Sequence, residues 1–417
     1  MAVDQGTYPT PTNPALTGTA DTGTAPVTPS TPAMMALPVA PLAPDASTSR
    51  KFYTLTASLR EIYDDNVNTS HTDPVTSYET QLSPSVLVDF PSGDSDFSAR
   101  YTFDLTYYSA GTESSSNNKK SSVDYTHEFV AQYQHAFSTR FNFNASEQFR
   151  YYTEPSIFES TGTLYRNGGY ISNILNGSLS AQWTPLLGSI TSYSNTVVRY
   201  DEADVALVQN NIENTGTHNF IYTLAPKIGL SFGGIVDEVS YDGDSRGYSN
   251  YTAFTGIEWK ALPSLNATAL GGGSYTELPQ TSGVASPYAS LSVDWSLGAR
   301  SELTFHYAHE VTPTDQSEAD AQTADRFTAN FKYDITPSLS AHLQGIFTKS
   351  NIAASFITNS SLKSYDENDY GIDTGLTYHY TSYLSFDLGL VVTGVSSGME
   401  SLSYARDEAS VGVRGTY

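Results

Sequence analysis

The sequence predicts an all-β fold, a transmembrane antiparallel up-and-down β-barrel of about 18 strands with a disordered N-terminal segment. Three observations predict it. From residue 51 onward, segments of 10 to 15 residues alternate apolar and polar side chains with a period of two. Short turns and long acidic loops take turns between those segments, and an aromatic residue stands before nearly every short turn. Composition agrees: hydrophobic residues are 39% and charged residues 15% of the chain, whereas roughly a quarter of a water-soluble globular chain is charged. Tyr (30), Phe (19), Gly (30) and many Ser, Thr and Asn residues fill the difference, and these are strand and turn formers.

Residues 1–50 are Pro, Thr, Ala and Gly with hardly an aromatic. Such a segment buries too little surface to fold, so it is expected to be a disordered tail on the periplasmic side, with the barrel at 51–417. The start "MAVDQGTYPT" has neither the basic region nor the apolar core of a secretory signal, which suits either an intracellular protein or a mature sequence with an added Met. "AMMALPVAPLAP" (33–44) is the nearest thing to a spanning helix, and it is short and broken by three prolines. The absence of cysteine excludes disulfides and thiolate metal sites.

The strands are clearest at "DFSARYTFDLTYYS", with Phe97, Ala99, Tyr101, Phe103, Leu105 and Tyr107 on one face and Ser98, Arg100, Thr102, Asp104 and Thr106 on the other. "VDYTHEFVAQYQHAF" sets Tyr125, Phe129, Ala131, Tyr133 and Phe137 against Asp124, Thr126, Glu128, Gln132 and Gln134. Leu303, Phe305 and Tyr307, then Phe327, Ala329, Phe331 and Tyr333, then Leu384 to Val392 repeat the pattern. Alternation of this length makes one face of each strand apolar and the other wet.

Short turns are expected at 91–95, 138–139, 184–188, 261–264, 296–299, 336–338 and 381–382, and long loops at 64–77, 110–121, 153–170, 202–215, 313–323, 350–367 and 396–405. Phe90, Phe137, Trp183, Phe232, Trp259, Trp295, Tyr333, Tyr380 and Tyr417 mark the short-turn ends and include all three tryptophans. They read as the periplasmic aromatic girdle, where amphipathic rings sit between lipid and water. Nine such ends imply about 18 strands with both termini on that side. In "EASVGVRGTY", Val411, Val413, Gly415 and Tyr417 share a face, a pattern that looks like the terminal strand signal read by the outer-membrane insertion machinery. A β-propeller would have a similar aromatic spacing, but it would carry a blade motif and more charge. A soluble solenoid or sandwich array meets the same charge objection.

"LREIYDDNVNTS" (59–70) followed by "YETQLSPSVLVDF" (78–90) resembles the β-barrel porin-2 (OmpL-like) family, in which a "YDDN" at the top of the first strand and an "SP" in the second recur. Here those residues are Tyr63, Asp64, Asp65, Asn66, Ser83 and Pro84. The motif-bearing part is the first hairpin only. The resemblance implies an outer-membrane porin and transfers no catalytic residue.

If the apolar parity faces lipid, the pore-lining candidates are Arg60, Arg100, Asp104, Glu128, Arg150, Lys227, Glu258, Asp294, Lys332 and Arg414. A barrel this wide is not filled by side chains, so these charges either set ion preference or satisfy one another across strands. The net charge of -24 disfavours nucleic acid and suggests an acidic mouth that concentrates cations. "DEAD" and "YDENDY" offer oxygen ligands, yet no calcium-loop spacing is present, so no cofactor is expected and at most weak calcium or magnesium binding at the acidic loops. His71 beside Asp64, Asp65 and Asp73 suggests a hydrolytic site only weakly, because no nucleophile motif accompanies it, and the chain reads as a non-enzyme. "GGGS" (271–274) lacks the Lys-Ser/Thr and helix of a phosphate loop. His127 and Glu147 fall on the lipid parity, which calls for either a local bulge or a partner subunit.

The expected function is passive diffusion of small hydrophilic solutes or ions, cation-preferring, through the outer membrane of a Gram-negative-type bacterium. The alternatives are a non-conducting anchor or scaffold and a part of a polysaccharide export system. Expected partners are outer-membrane lipid and lipopolysaccharide, the insertion machinery and a homo-oligomer.

Overall fold

The structure, a computed structural model, describes residues 52–114, 119–153, 158, 169–242, 246–279, 282–314, 316, 319–357 and 363–417. The N-terminal segment 1–50 lies outside the described residues, and so do parts of several long loops.

Eighteen strands form one antiparallel sheet. The first six are β1 (Tyr53–Asp64), β2 (Ser77–Ser92), β3 (Ser95–Ser114), β4 (Lys119–Ser138), β5 (Phe141–Tyr152) and β6 (Tyr170–Gln182). β7 (Leu187–Tyr200), β8 (Asn211–Ala225), β9 (Ile228–Tyr241), β10 (Gly247–Leu262), β11 (Leu265–Glu277) and β12 (Val284–Ser296) follow. β13 (Ser301–Thr312), β14 (Gln322–Thr336), β15 (Leu339–Ile352), β16 (Tyr365–His379), β17 (Leu384–Ser397) and β18 (Tyr404–Thr416) complete the set. A short helix, α1 (Ala203–Gln209), and a single 3-10 turn at Glu400–Leu402 sit in loops. Every strand pairs with its sequence neighbours, and β18 pairs with β1 from Thr56↔Thr416 to Asp64↔Glu408, so the sheet closes without an edge.

Burial tells the two faces apart. Leu388 is 56% exposed while Asp387 beside it is 9% exposed, the inverse of a soluble strand. Leu55, Leu59, Leu82, Tyr101, Leu105, Phe386, Leu390 and Val411 continue the exposed apolar face around the barrel. A face of this kind is stable only against lipid, so the exterior is the membrane-facing side. On β1 the outward face runs from Tyr53 to Tyr63. Ten residues at ~3.3 Å each, tilted by ~40°, rise ~25 Å, which matches the apolar band of an outer-membrane barrel.

Aromatic rings rim that band at both ends. At the short-turn end Phe52, Phe90 and Phe97 stack in series (5.8 and 6.4 Å), Trp183 packs edge-on to Phe141 (5.8 Å), and Phe137, Trp259, Tyr380 and Tyr417 are exposed. At the loop end Tyr63 meets Tyr78 and Tyr125 meets Tyr151 (5.5 and 5.8 Å), an upper rim that the alternation alone did not reveal.

Phe232 is not a strand end. It lies four residues into β9, stacked on Phe220 of β8 at 5.4 Å, because the chain reverses earlier, at Pro226-Lys227. The Gly233-Gly234 pair that resembles a turn is continuous strand, in register with His218-Asn219 and Gly256's neighbourhood through Ala253-Phe254. Gly233 is glycine for a packing reason: a Cβ there would strike the His218 carbonyl and lie 2.8 Å from Phe254 Cζ. Two long-side connections, 242–246 and 278–283, also went unforeseen.

Register shifts occur at the bases of four hairpins (Ala136/Ser138, Thr223/Ala225, Lys260/Leu262, Asp334/Thr336) and at Tyr107/Thr112. None lies beside His127 or Glu147, so the bulge explanation for those residues fails and both remain on the outer face, opposite Tyr151 and Ala131 respectively.

Gly233→Ala is expected to destabilise the barrel by on the order of 2 kcal/mol, since a methyl group must displace backbone or the Phe254 ring. Urea unfolding in lipid vesicles measures this, and Gly345→Ala, where a Cβ would meet no atom within 4 Å, is the control expected to change little.

Candidate functional site

The inward parity is polar throughout most of its height. Arg60, Arg100, Asp104, Glu128, Arg150, Glu258, Asp294, Lys332 and Arg414 all stand on strands at the parity opposite the exposed apolar residues. Lys227 does not. It occupies the β8–β9 turn, where Nζ donates to the Ala261 carbonyl at 3.1 Å, because the two-residue turn at 226–227 leaves it no strand position.

The inward charges fall into two groups. Glu128 Oε1 accepts from Arg150 Nη2 (3.3 Å) and Gln148 Nε2 (3.1 Å), and Arg414 Nη2 lies 3.3 Å from Asp387 Oδ2, whose partner oxygen accepts from Thr377 at 2.9 Å. Asp104 accepts from Thr126 (2.9 Å) and Glu258 from Ser231 (2.7 Å). These groups are neighbours on adjacent strands and line the wall in hydrogen-bonded or ion-paired sets. Arg100, Asp294 and Lys332, by contrast, make no hydrogen bond or ion pair with another described residue. Their charges face the lumen.

The wall from β8 to β14 is built differently. Ile235, Phe254 and Tyr288 form a buried apolar cluster on the inward face at mid-height, with Leu270 packed against it. Inward Gly256 and Gly272 make room, since a Cβ on Gly256 would lie 2.7 Å from Leu270 Cδ2 and one on Gly272 would lie 2.9 Å from Phe254 Cα. Within the "GGGS" run this role falls to Gly272 alone, since a Cβ on Gly271 would meet no atom within 4 Å. Above the cluster, Glu213, Asp237 and Glu310 line an open recess together with Thr215, Asn250, Tyr288 and Thr312. Asp237 accepts from the Thr215 hydroxyl at 2.9 Å, and Arg326 is buried in the β14 wall nearby.

The mouth over this recess is partly covered. Val311, Ala321 and Phe356 pack on Val239, Tyr241, Tyr248 and Leu278, so the β13–β14 and β15–β16 connections reach the β9–β11 rim. The Asp320 backbone N–H donates to the Phe356 carbonyl (2.9 Å), which joins the two connections to each other. Arg246 holds the cover down: Nη1 donates to the Gln316 and Ala319 carbonyls (2.7 and 3.3 Å), Nη2 donates to the Val208 carbonyl, and the guanidinium stacks on Tyr241 at 4.0 Å. Tyr241 Oη donates to the Thr314 carbonyl at 3.1 Å. One buried side chain thus ties three long connections together.

Glu213, Asp237 and Glu310 sit on the wet parity of their strands, so extending the parity rule would have found them. Arg246 gives no such signal, since it follows "YDGDS" in a connection and its carbonyl partners are 38 to 73 residues away.

At the barrel seam, Asp64 is fully buried and binds Arg406 through Nη2 (2.6 Å) and Nε (2.9 Å), while its Oδ1 accepts from the Asn66 backbone N–H at 2.8 Å. Asn66 in turn holds Ser70 and Ala405. His71 instead pairs with Glu400 at 3.5 Å, so His71 and Asp64 do not form a dyad. Among the described residues no three His, Asp or Glu side chains converge as a metal site.

No family model matches the chain, and no curated protein matches it. The resemblance of "YDDN" and "SP" to the porin-2 family therefore rests on those residues alone. Among solved structures the chain is similar in fold to OccAB4 from Acinetobacter baumannii (10% identity, TM-score 0.43, 88% of this chain and 98% of that one). It is similar also to the outer membrane protein OpdK from Pseudomonas aeruginosa (10%, 0.45, 88% and 99%) and to a BenF-like porin from Pseudomonas fluorescens Pf-5 (9%, 0.43, 88% and 99%).

Arg246→Ala is expected to accelerate amide hydrogen exchange in 319–322 by about tenfold or more, the equivalent of one lost charge-assisted hydrogen bond. Exchange in the Glu128–Arg150 wall should stay unchanged, and mass spectrometry of the folded protein reads both regions.

Proposed function

We propose that the protein is an outer-membrane porin through which small hydrophilic solutes and ions diffuse passively, with a preference for cations. The observation that carries this reading is the inverted closed barrel: an apolar exterior around a polar interior, with Arg100, Asp294 and Lys332 on the inward parity and without a hydrogen bond or ion pair to another described residue. Eighteen strands enclose more width than side chains fill, so water occupies what the loops leave open.

The cation preference follows from the balance of charge. Acidic residues outnumber basic ones 44 to 20, and the recess beneath the cover is lined by Glu213, Asp237 and Glu310. Carboxylates along the wall and at the mouth raise the local concentration of cations and repel anions. The short turns face the periplasm and the long loops the exterior, as barrels of this class orient themselves in a Gram-negative outer membrane. Lipid and lipopolysaccharide surround the belt, and the Val411–Tyr417 face serves the insertion machinery. No cofactor enters this function.

The covered mouth favours one competing reading, a barrel closed by its own loops that acts as an anchor. Planar-bilayer recording of the purified protein under a potassium chloride gradient, with and without residues 1–50, separates the two. Stepwise currents with a reversal potential on the cation side are expected, and Arg246→Ala should enlarge each step. Asp294→Lys should move the reversal potential toward the anion side. Silence in both lengths of the protein would overturn the porin reading, and a reversal potential on the anion side would overturn the cation preference alone.

A further inference from the structure

We propose that the outer face of β5–β8 is a self-complementary interface on which a second copy of this chain docks about a two-fold axis parallel to the barrel axis. The inference needs only that the barrel spans a membrane, and it holds whether or not the lumen conducts.

The lipid-facing belt is interrupted there. Tyr193, 49% exposed, donates its hydroxyl to Asn214 Oδ1 at 2.7 Å, Asn195 donates to the same oxygen at 2.9 Å, and Thr191 Oγ1 lies 2.8 Å from His218 Nδ1. Glu147 stands on this face in the middle of β5 and makes no hydrogen bond or ion pair with another described residue. A carboxylate and a row of amides at mid-belt are costly against hydrocarbon and suited to a protein surface.

Shape and charge both say which surface. Tyr193 is paired across the strands with Gly177 on one side and Gly216 on the other. A Cβ on either glycine would meet no atom within 4 Å, so the tyrosine is a ridge between two notches. Tyr193 and Gly177 are also level, six and five residues from the short-turn ends of β7 and β6 at Leu187 and Gln182. An axis passing between β6 and β7 therefore lays Tyr193 of each copy over Gly177 of the other.

The same operation tests itself one strand further out. It carries β5 of one copy opposite β8 of the other, and Glu147 is six residues above the end of β5 at Phe141 while His218 is seven above the end of β8 at Ala225. The unpartnered carboxylate thus meets an imidazole at its own height. An Nδ1 that accepts from Thr191 leaves Nε2 as the donor toward it. Two ridges seated in notches and two acid–imidazole contacts arise from one symmetry operation, the signature of an isologous interface.

The chain has no cysteine, so labels report cleanly. Single-cysteine proteins carrying Gly177→Cys or Tyr193→Cys, mixed in lipid vesicles and treated with a short bis-maleimide, should give a linked pair containing one of each. A mixture of Leu390→Cys and Val411→Cys, exposed on the opposite wall, should not. Energy transfer between separately labelled copies should show Glu147→Lys weakening the dimer by about tenfold or more and the double variant E147K/H218E restoring it to within about threefold. Wild-type protein that stays monomeric at every lipid dilution would overturn the proposal, as would a three-fold assembly, an equal yield from the opposite wall, or a dimer indifferent to Glu147→Lys.

Discussion

Everything in this molecule depends on one requirement: backbone N–H and C=O groups inside a lipid layer must be satisfied within the protein. A sheet meets it only by closing, and closing means that the first and last strands must find each other across the whole chain. The β1–β18 ladder does this, and its loop end is locked by the buried Asp64–Arg406 pair, with Asp65 Oδ1 accepting from the Asp407 backbone N–H at 2.8 Å. The sequence motif around Asp64 is thus a device for sealing the barrel. Its buried carboxylate is tolerable because a guanidinium and a backbone N–H meet it from two sides.

Closure also decides where the hydrophobic residues go. In a soluble fold the large apolar side chains would fill the centre, but here Leu388 and Val411 point outward and Asp387 and Arg414 inward. The core is consequently small and local. It appears at the loop-anchoring cluster of Tyr241, Tyr248 and Phe356, at the inward-facing Ile235, Phe254 and Tyr288, and where Val205 of α1 packs on Tyr170, Val198 and Tyr200 of β6 and β7. The first two share the β8–β14 side, where glycines, aromatics and buried carboxylates elaborate the wall.

Strand number, face and the alternation of turn and loop were legible because each is a period-two or nearest-neighbour property, written within a dozen residues. Phe97 to Tyr107 declare their face without help from the rest of the chain. Phe232 was misread for an equally local reason: Gly233-Gly234 resembles a turn, and only the Phe254 ring of the next strand shows why glycine is needed. Arg246 was illegible in principle, since its meaning lies in carbonyls of Val208, Gln316 and Ala319 that the loops deliver from elsewhere. Local rules therefore recover the wall of this barrel and miss the cover over its mouth.

The departures from the parity rule carry more information than the residues that obey it. Apolar rings on the wet face and polar groups on the lipid face each oppose the solvent they would otherwise meet, so each requires a different neighbour. Inside, the neighbour is present: Phe254 and Tyr288 pack on each other at 6.1 Å and narrow the lumen below the acidic recess. Outside, Tyr193 and Asn195 satisfy Asn214, and Thr191 meets His218, which lowers the cost of exposure to lipid but leaves Glu147 unanswered. A mid-belt carboxylate without a neighbour among the described residues is a local conflict of the kind that natural sequences retain at working surfaces. Its resolution has to come from outside the chain, and the level placement of His218 means that an identical chain can supply it.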